Sequence, residues 1–173
     1  LLNAHFGSVF IARLPSAISA QPSRTPQTEV DIAIFSPSNI CKYIGRLNPR
    51  KSPGMDRIHP LVVKNCANAF SEVFSVIFSL SFASGKIPDA WRLAQISPIF
   101  KKGSRINPGN YRPISLTSVP CKLMERIVRD VMLEHLYSNN VIASEQHGFV
   151  MRKSVATNLL ETVDRISDGI YNG

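Results

Sequence analysis

Hydrophobic residues recur every three or four positions over four stretches of this chain, and two shorter runs between them read as strands. Ser36 offers an N-cap with Pro37 at the first helical position, and Ile40, Ile44 and Leu47 mark a buried stripe, with Lys42 and Arg46 on another face. A long helix is predicted from about Pro60 to Ser84, stopped by Gly85 and Pro88. Its apolar residues, from Val62, Val63 and Cys66 through Phe70, Val73, Phe74, Ile77 and Phe78, are too many for one narrow stripe, so packing on two sides is expected. A third helix, from about Pro120 to Tyr137, sets Leu123, Ile127 and Val131 on one face. A fourth is capped by Ser154 and runs to Tyr171, repeating Val155, Leu159, Val163, Ile166 and Ile170. Opposite that last stripe, Glu161, Asp164 and Asp168 read as a solvated face rather than a metal-binding pair.

Between the second and third helices, Ile96 to Phe100 and Tyr111 to Leu116 are rich in β-branched and aromatic residues and flank a polar connection containing Gly103 and Pro108. This predicts an antiparallel hairpin at about 92–117, carrying Lys101, Lys102 and Arg112 close together. Two ammonium groups and a planar guanidinium suit a polyphosphate, the lysines as point charges and the arginine as a bidentate donor. A basic hairpin also occurs as an ordinary solvated edge, where lysine discourages strand addition. Trp91, just before the hairpin, is expected to lock helix to hairpin. Pro15, Pro22 and Pro26, with Ser23 and Thr25 between, make the region from about 12 to 35 a loose connector. The division expected is therefore 1–35 as connector and 36–173 as one α+β domain.

Charge sharpens this. The net charge of +8 over 173 residues is uneven: residues 1–41 are neutral, residues 42–112 carry a net +9, and residues 113–173 a net −1. An excess confined to the middle of the chain fits a surface facing nucleic acid or phosphate. Cys41, Cys66 and Cys121 match no zinc spacing and leave one thiol over in any disulfide scheme, so reduced cysteines in an intracellular protein are expected. The most apolar run, Phe70 to Ala83, is short and interrupted by serines and Glu72, so no membrane span is expected. No secretory signal and no internal repeat are evident.

Four motifs carry a family resemblance. Pro98-Ile99-Phe100-Lys101-Lys102-Gly103 with Asn110-Tyr111-Arg112-Pro113-Ile114-Ser115-Leu116 resembles the fingers of reverse transcriptases from non-LTR (LINE-type, jockey-like) retrotransposons. Asn48 to Asp56 upstream, and Lys122 to Ile127 and Gln146-His147-Gly148-Phe149 downstream, follow in family order, so the resemblance covers about residues 36–173. It implies the mostly helical fingers and the start of the palm of a right-hand polymerase. It further implies that Lys101, Lys102 and Arg112 bind the triphosphate of an incoming nucleotide, with either lysine open to the matching role. Tyr111 is expected to brace its strand.

For the template, the resemblance implies Arg50, Lys51, Ser52 and Gly54 in one segment. The Pro53-Gly54 turn is expected to expose backbone amides beside two cations, and a plain interhelical turn is the other reading. Met55 and Arg57 stand where the family more usually has Pro and Gly; if the latter position has a positive φ, Arg57 strains the turn. Gln146, Gly148, Phe149, Arg152 and Lys153 are implied in a second template segment, with Val150 in place of the family's Arg. His147 has no second ligand at a metal-binding spacing.

The family's acidic motifs, which hold two magnesium ions in the intact enzyme, are expected beyond residue 173, so the chain is expected to be a fragment with no catalytic residue and no metal site of its own. The partners implied are an RNA template, an RNA/DNA hybrid, dNTP, and the remaining palm and thumb, with no membrane. The localisation implied is cytoplasm and nucleus. Two alternatives stay open: a catalytically dead nucleic-acid-binding module, and the product of a decayed pseudogene.

Overall fold

The computed structural model describes residues 2–8 and 30–172. The connector reading of residues 12–35 therefore lies largely outside the described residues. Helices α1 (Leu2–Ser8), α2 (Pro37–Gly45), α3 (Pro60–Asn65) and α4 (Ala67–Ser84) come first, then strands β1 (Gln95–Phe100) and β2 (Tyr111–Leu116), then helices α5 (Val119–Ser138) and α6 (Val155–Asn172). This is an α+β chain with one antiparallel two-stranded sheet among the described residues. It forms two compact units, residues 1–128 and 129–173.

The core of the first unit is built from Phe35, Ile40, Ile44, Val63, Phe74, Phe78, Val119, Leu123 and Ile127. Phe35 sits in a 3-10 turn, Ile32–Phe35, whose entry Asp31 caps by accepting from the Ala33 amide at 2.9 Å. Its ring meets Phe78 and Phe82 edge-on, with centroids 5.8 and 5.5 Å apart, so the residue just before the expected boundary at 36 is a core residue. Trp91 meets Phe78 edge-on at 5.8 Å, which fastens the entrance of the hairpin to α4. Serines lie within this apolar layer because each finds a carbonyl. Ser71 donates to Asn68 O at 2.8 Å, Ser75 to Phe35 O at 2.6 Å, and Ser81 to Lys86 O at 2.7 Å.

Three expectations need correction. The helix from Pro60 to Ser84 is two helices, broken at Cys66, whose φ and ψ are −110° and 36°. Val62, Val63, Asn65 and Cys66 are weak helix formers, and the ladder gives way among them. Packing on two sides is met on one only: Phe74 and Phe78 are buried, whereas Val73, Val76 and Leu80 on the other side are more than half exposed. α4 also has the length and composition of a membrane span, contrary to the reading that no stretch qualifies, although one face of it packs in the core.

α5 begins where Ser118 Oγ accepts from the Cys121 amide at 3.3 Å, with Pro120 in the first turn, where no N–H partner is needed. In the second unit α6 starts on a reciprocal cap: Ser154 Oγ accepts from Thr157 N–H at 3.2 Å, and Thr157 Oγ1 accepts from Ser154 N–H at 2.8 Å. The stripe Val155, Leu159, Val163, Ile166 and Ile170 is exposed along its whole length.

Candidate nucleotide and nucleic-acid sites

The hairpin pairs Gln95 with Leu116 through Phe100 with Tyr111. Lys101 N–H donates to Asn110 O at 2.8 Å and carries the register one pair further. Hydrogen-bonded and non-hydrogen-bonded pairs alternate along an antiparallel ladder, so Pro98 and Pro113, which face each other, occupy a non-hydrogen-bonded pair. Their missing N–H groups remove no ladder bond and blunt both outer edges. The alternation also sorts the side chains: Ile99, Lys101 and Arg112 share one face, and Phe100, Tyr111 and Pro113 the other.

At the tip, Gly103 takes a φ of +87°, with Asn110 close beside it, so the turn needs glycine there. Tyr111 OH donates to Arg105 O at 2.9 Å, and its ring meets Phe100 edge-on at 5.5 Å. Tyr111 thus braces the turn. The Arg105 guanidinium lies 5.2 Å from the Phe100 ring centroid, a cation–π contact that holds a further cation at the tip. Arg105 was not among the sequence candidates, and the only signal for it was its place in the connection after Lys101 and Lys102.

From Ala90 to Met124 the chain carries Arg92, Lys101, Lys102, Arg105, Arg112 and Lys122 and no carboxylate. Ion pairs among the described residues include Arg92–Asp89, Arg129–Asp130, His147–Glu161 and Arg165–Glu145. None of Lys101, Lys102, Arg105 and Arg112 is matched by a carboxylate among the described residues. Among the described residues nothing acidic neutralises them.

In the turn that precedes Gly54, Asn48 sets the shape, its Oδ1 accepting from Arg50 N–H at 2.9 Å and its O from Lys51 N–H at 3.3 Å. Arg50, Lys51 and Ser52 are exposed, whereas Gly54 is buried. A Cβ on Gly54 would lie 2.6 to 2.7 Å from backbone atoms of Thr117 and Ser118, so this glycine permits the close approach of two chain segments. Arg57 has a φ of +57°, the strained conformation its position suggested.

The second segment belongs to the second unit. Gln146 Nε2 donates to Gly148 O at 3.0 Å, and Lys153 Nζ donates to Ser144 O. Both side chains thereby hold the loop's own shape. Phe149 is fully exposed and Arg152 exposed, and both have positive φ, 60° and 62°. His147 is buried, its Nδ1 2.9 Å from Glu145 O and its Nε2 3.3 Å from Glu161 Oε2. Glu161, read from sequence as merely solvated, is therefore a contact of this loop.

No group of three or more His, Cys, Asp or Glu residues among the described residues is placed to hold a metal ion. An unmatched basic hairpin, a cationic turn and an aromatic loop define a class of protein: a module whose exposed chemistry suits phosphates and nucleic acid.

The chain is similar to several known polymerases. The chain is 26% identical over 147 residues to the probable RNA-directed DNA polymerase from transposon X-element, and 24% identical over 147 residues to that from mobile element jockey, both of Drosophila melanogaster. Each match covers 84% of this chain and 16% of the relative. A 115 kDa protein in the type-1 retrotransposable element R1DM of the same species is 28% identical over 141 residues, 78% of this chain and 13% of the relative. No protein-family model matches. The chain is a relative of non-LTR retrotransposon RNA-directed DNA polymerases and corresponds to about one sixth of their length.

Proposed function

We propose that this chain is the part of a non-LTR reverse transcriptase that grips the incoming nucleotide and the template. The observation that carries this is the carboxylate-free hairpin, on which Lys101 and Arg112 share one face. Arg112 holds the triphosphate through a bidentate contact, and Lys101 adds a point charge beside it. Arg50, Lys51 and Ser52 contact the backbone of an RNA template or RNA/DNA hybrid, and Phe149 and Arg152 contact the template in the second unit. The remaining palm and thumb supply the rest of the polymerase, acting in cytoplasm and nucleus.

The related polymerases imply a divalent metal in the intact enzyme. We assign this to two magnesium ions. Bound, such ions would supply activation of the primer hydroxyl and stabilisation of the leaving pyrophosphate; among the described residues no group of three or more His, Cys, Asp or Glu would hold them.

A fluorescent dATP analogue and a fluorescein-labelled oligo(U) RNA, each titrated against the chain, separate the two grips. Arg112→Ala should weaken the nucleotide roughly tenfold to a hundredfold, the range for a hydrogen bond to a charged group, and leave RNA affinity nearly unchanged. Arg112→Lys should recover part of the loss. Unchanged nucleotide affinity in Arg112→Ala refutes the triphosphate role.

A further inference from the structure

We propose that the cavity between α1 and the hairpin binds one unstacked base of a single-stranded RNA, while Arg105 takes the phosphate beside it. The site lies on the face of the hairpin opposite Lys101 and Arg112, so it goes beyond the triphosphate and template grips and stands apart from them.

The cavity has a volume of about 580 Å³, within the range of small-molecule sites. Strand alternation builds its floor: Ile96, Tyr111, Pro113 and Ser115 fall on one face of the ladder, with Ile96 directly opposite Ser115. α1 closes the other side through Phe6, which is buried, and His5, whose ring centroid is 5.8 Å from that of Phe6. The Tyr111 hydroxyl donates to Arg105 O at 2.9 Å, so what Tyr111 gives the cavity is its ring.

The lining selects the occupant. Three rings, those of His5, Phe6 and Tyr111, suit a flat aromatic group. The polar atoms are few and of both kinds, since the Asn3 amide and the Ser115 hydroxyl each donate and accept, as the edge of a base requires. Leu2–Ser8 contains no acidic residue and none occurs from Ala90 to Met124, so the walls offer a cation no counterion. The charge at the rim is positive instead. The Arg105 guanidinium lies 5.2 Å from the centroid of Phe100 on this same face, and the Phe100 ring meets Tyr111 edge-on at 5.5 Å. An aromatic layer therefore runs from the cavity floor to the cation. A stacking platform beside a cation is the combination that holds a single strand. A duplex keeps its bases paired and has none to offer, and a free nucleotide lacks the further phosphates that Lys102 and Arg105 at the tip would meet.

Gly7, which also lines the cavity, supplies the blocking variant. A Cβ there meets nothing within 4 Å, its φ is not positive, and leucine favours a helix more than glycine does. Gly7→Leu should thus keep the fold while its side chain takes up the cavity's space. The whole chain is titrated with the labelled oligo(U) RNA, an abasic oligomer of the same length, uridine monophosphate and the fluorescent dATP analogue. Gly7→Leu should weaken oligo(U) roughly fivefold to a hundredfold, the range for one stacked base, and leave the abasic oligomer and the dATP analogue unchanged. Arg105→Ala should weaken oligo(U) and the abasic oligomer alike. Unchanged oligo(U) affinity in Gly7→Leu overturns the proposal, and so does an equal loss for the abasic oligomer. A matching loss for the dATP analogue would place the cavity in the nucleotide grip, and uridine monophosphate binding as tightly as oligo(U) would overturn the choice of a strand. The triphosphate grip is read separately, by Arg112→Ala on the dATP analogue. Oligo(U) containing 4-thiouridine, irradiated on the wild-type chain, locates the base directly: cross-links to Tyr111 or to Leu2–Ser8 support the site, and cross-links found only elsewhere refute it.

Discussion

Replacing Gly54 with alanine isolates the close approach between the turn at residues 50–54 and the start of α5. The added Cβ would lie 2.6 Å from Ser118 Cα, 2.7 Å from Ser118 N and 2.7 Å from Thr117 C. Carbon atoms in contact settle near 3.5 to 4.0 Å, so about 1 Å must be found. All three neighbours are backbone, and Ser118 and Val119 are 1% and 2% exposed, so no flexible side chain can swing away. Overpacking typically costs about 1 to 3 kcal/mol, and this site belongs at the upper end. For a chain of this size each kcal/mol lowers the melting temperature by roughly 2 to 4 °C, which gives a fall of roughly 6 to 12 °C. Gly45→Ala is the control: nothing lies within 4 Å of its Cβ position, and its φ is not positive. It should stabilise by about 0.4 to 1 kcal/mol by restricting the unfolded chain. Thermal melts of the two variants beside wild type are the assay. A Gly54→Ala melting point at or above wild type would refute the close-contact account, and a change in the salt slope of RNA binding while the variant is folded would restore Gly54 as a direct template contact.

Three further outcomes are expected. Reversing Arg50, Lys51, Lys101 and Lys102 to glutamate should weaken RNA binding and flatten its dependence on salt, since each neutralised phosphate releases counterions; equal slopes in a salt titration would deny the basic segment a binding role. The chain alone should not extend a primer on poly(rA)/oligo(dT) with magnesium or manganese, and template-dependent incorporation above a no-enzyme control would overturn that expectation. Burial, with Glu125 alongside, pushes the Cys121 thiol up to about 11, so exposed Cys66 should be alkylated well before it near neutral pH. A raised thiol favours the folded state below the ordinary cysteine value and loses that contribution as pH rises toward about 11. A Cys121→Ser variant with the same alkaline melting curve as wild type would refute that linkage.

The helices and the hairpin were legible because each rests on a local pattern: Ser36 and Ser154 stand before apolar periods, and alternating runs flank Gly103. What escaped depends on contacts across the chain. The break at Cys66 interrupts an apolar period that runs on without a gap, so nothing but weak propensity marked it. Gly54 reads as a turn residue, and only the fold brings Thr117 and Ser118 against it. Glu161 shares the polar side of α6 with Asp164 and Asp168, and nothing local shows that it alone meets a buried imidazole. Arg105 was one more turn cation until Phe100 proved to lie beneath it.

The register of the hairpin also bears on the choice between its two lysines. Lys101 continues the ladder through its amide bond to Asn110, and strand alternation then puts its side chain on the face that carries Arg112, across from Phe100 and Tyr111. A triphosphate held by Arg112 would meet Lys101 as a diagonal neighbour, within reach of a long side chain. Lys102 lies past the last ladder bond, in the turn, with no strand to fix its direction. Arg105 stacks on Phe100 and so belongs to the other face. The tip thus splits its cations between two surfaces, and a nucleotide gripped on one leaves Arg105 on the other, free to meet a second phosphate. Lys101→Ala should therefore weaken nucleotide binding more than Lys102→Ala does, and Arg105→Ala should leave nucleotide affinity unchanged while lowering RNA affinity; the reverse ranking would mean that the turn, rather than the ladder face, forms the grip.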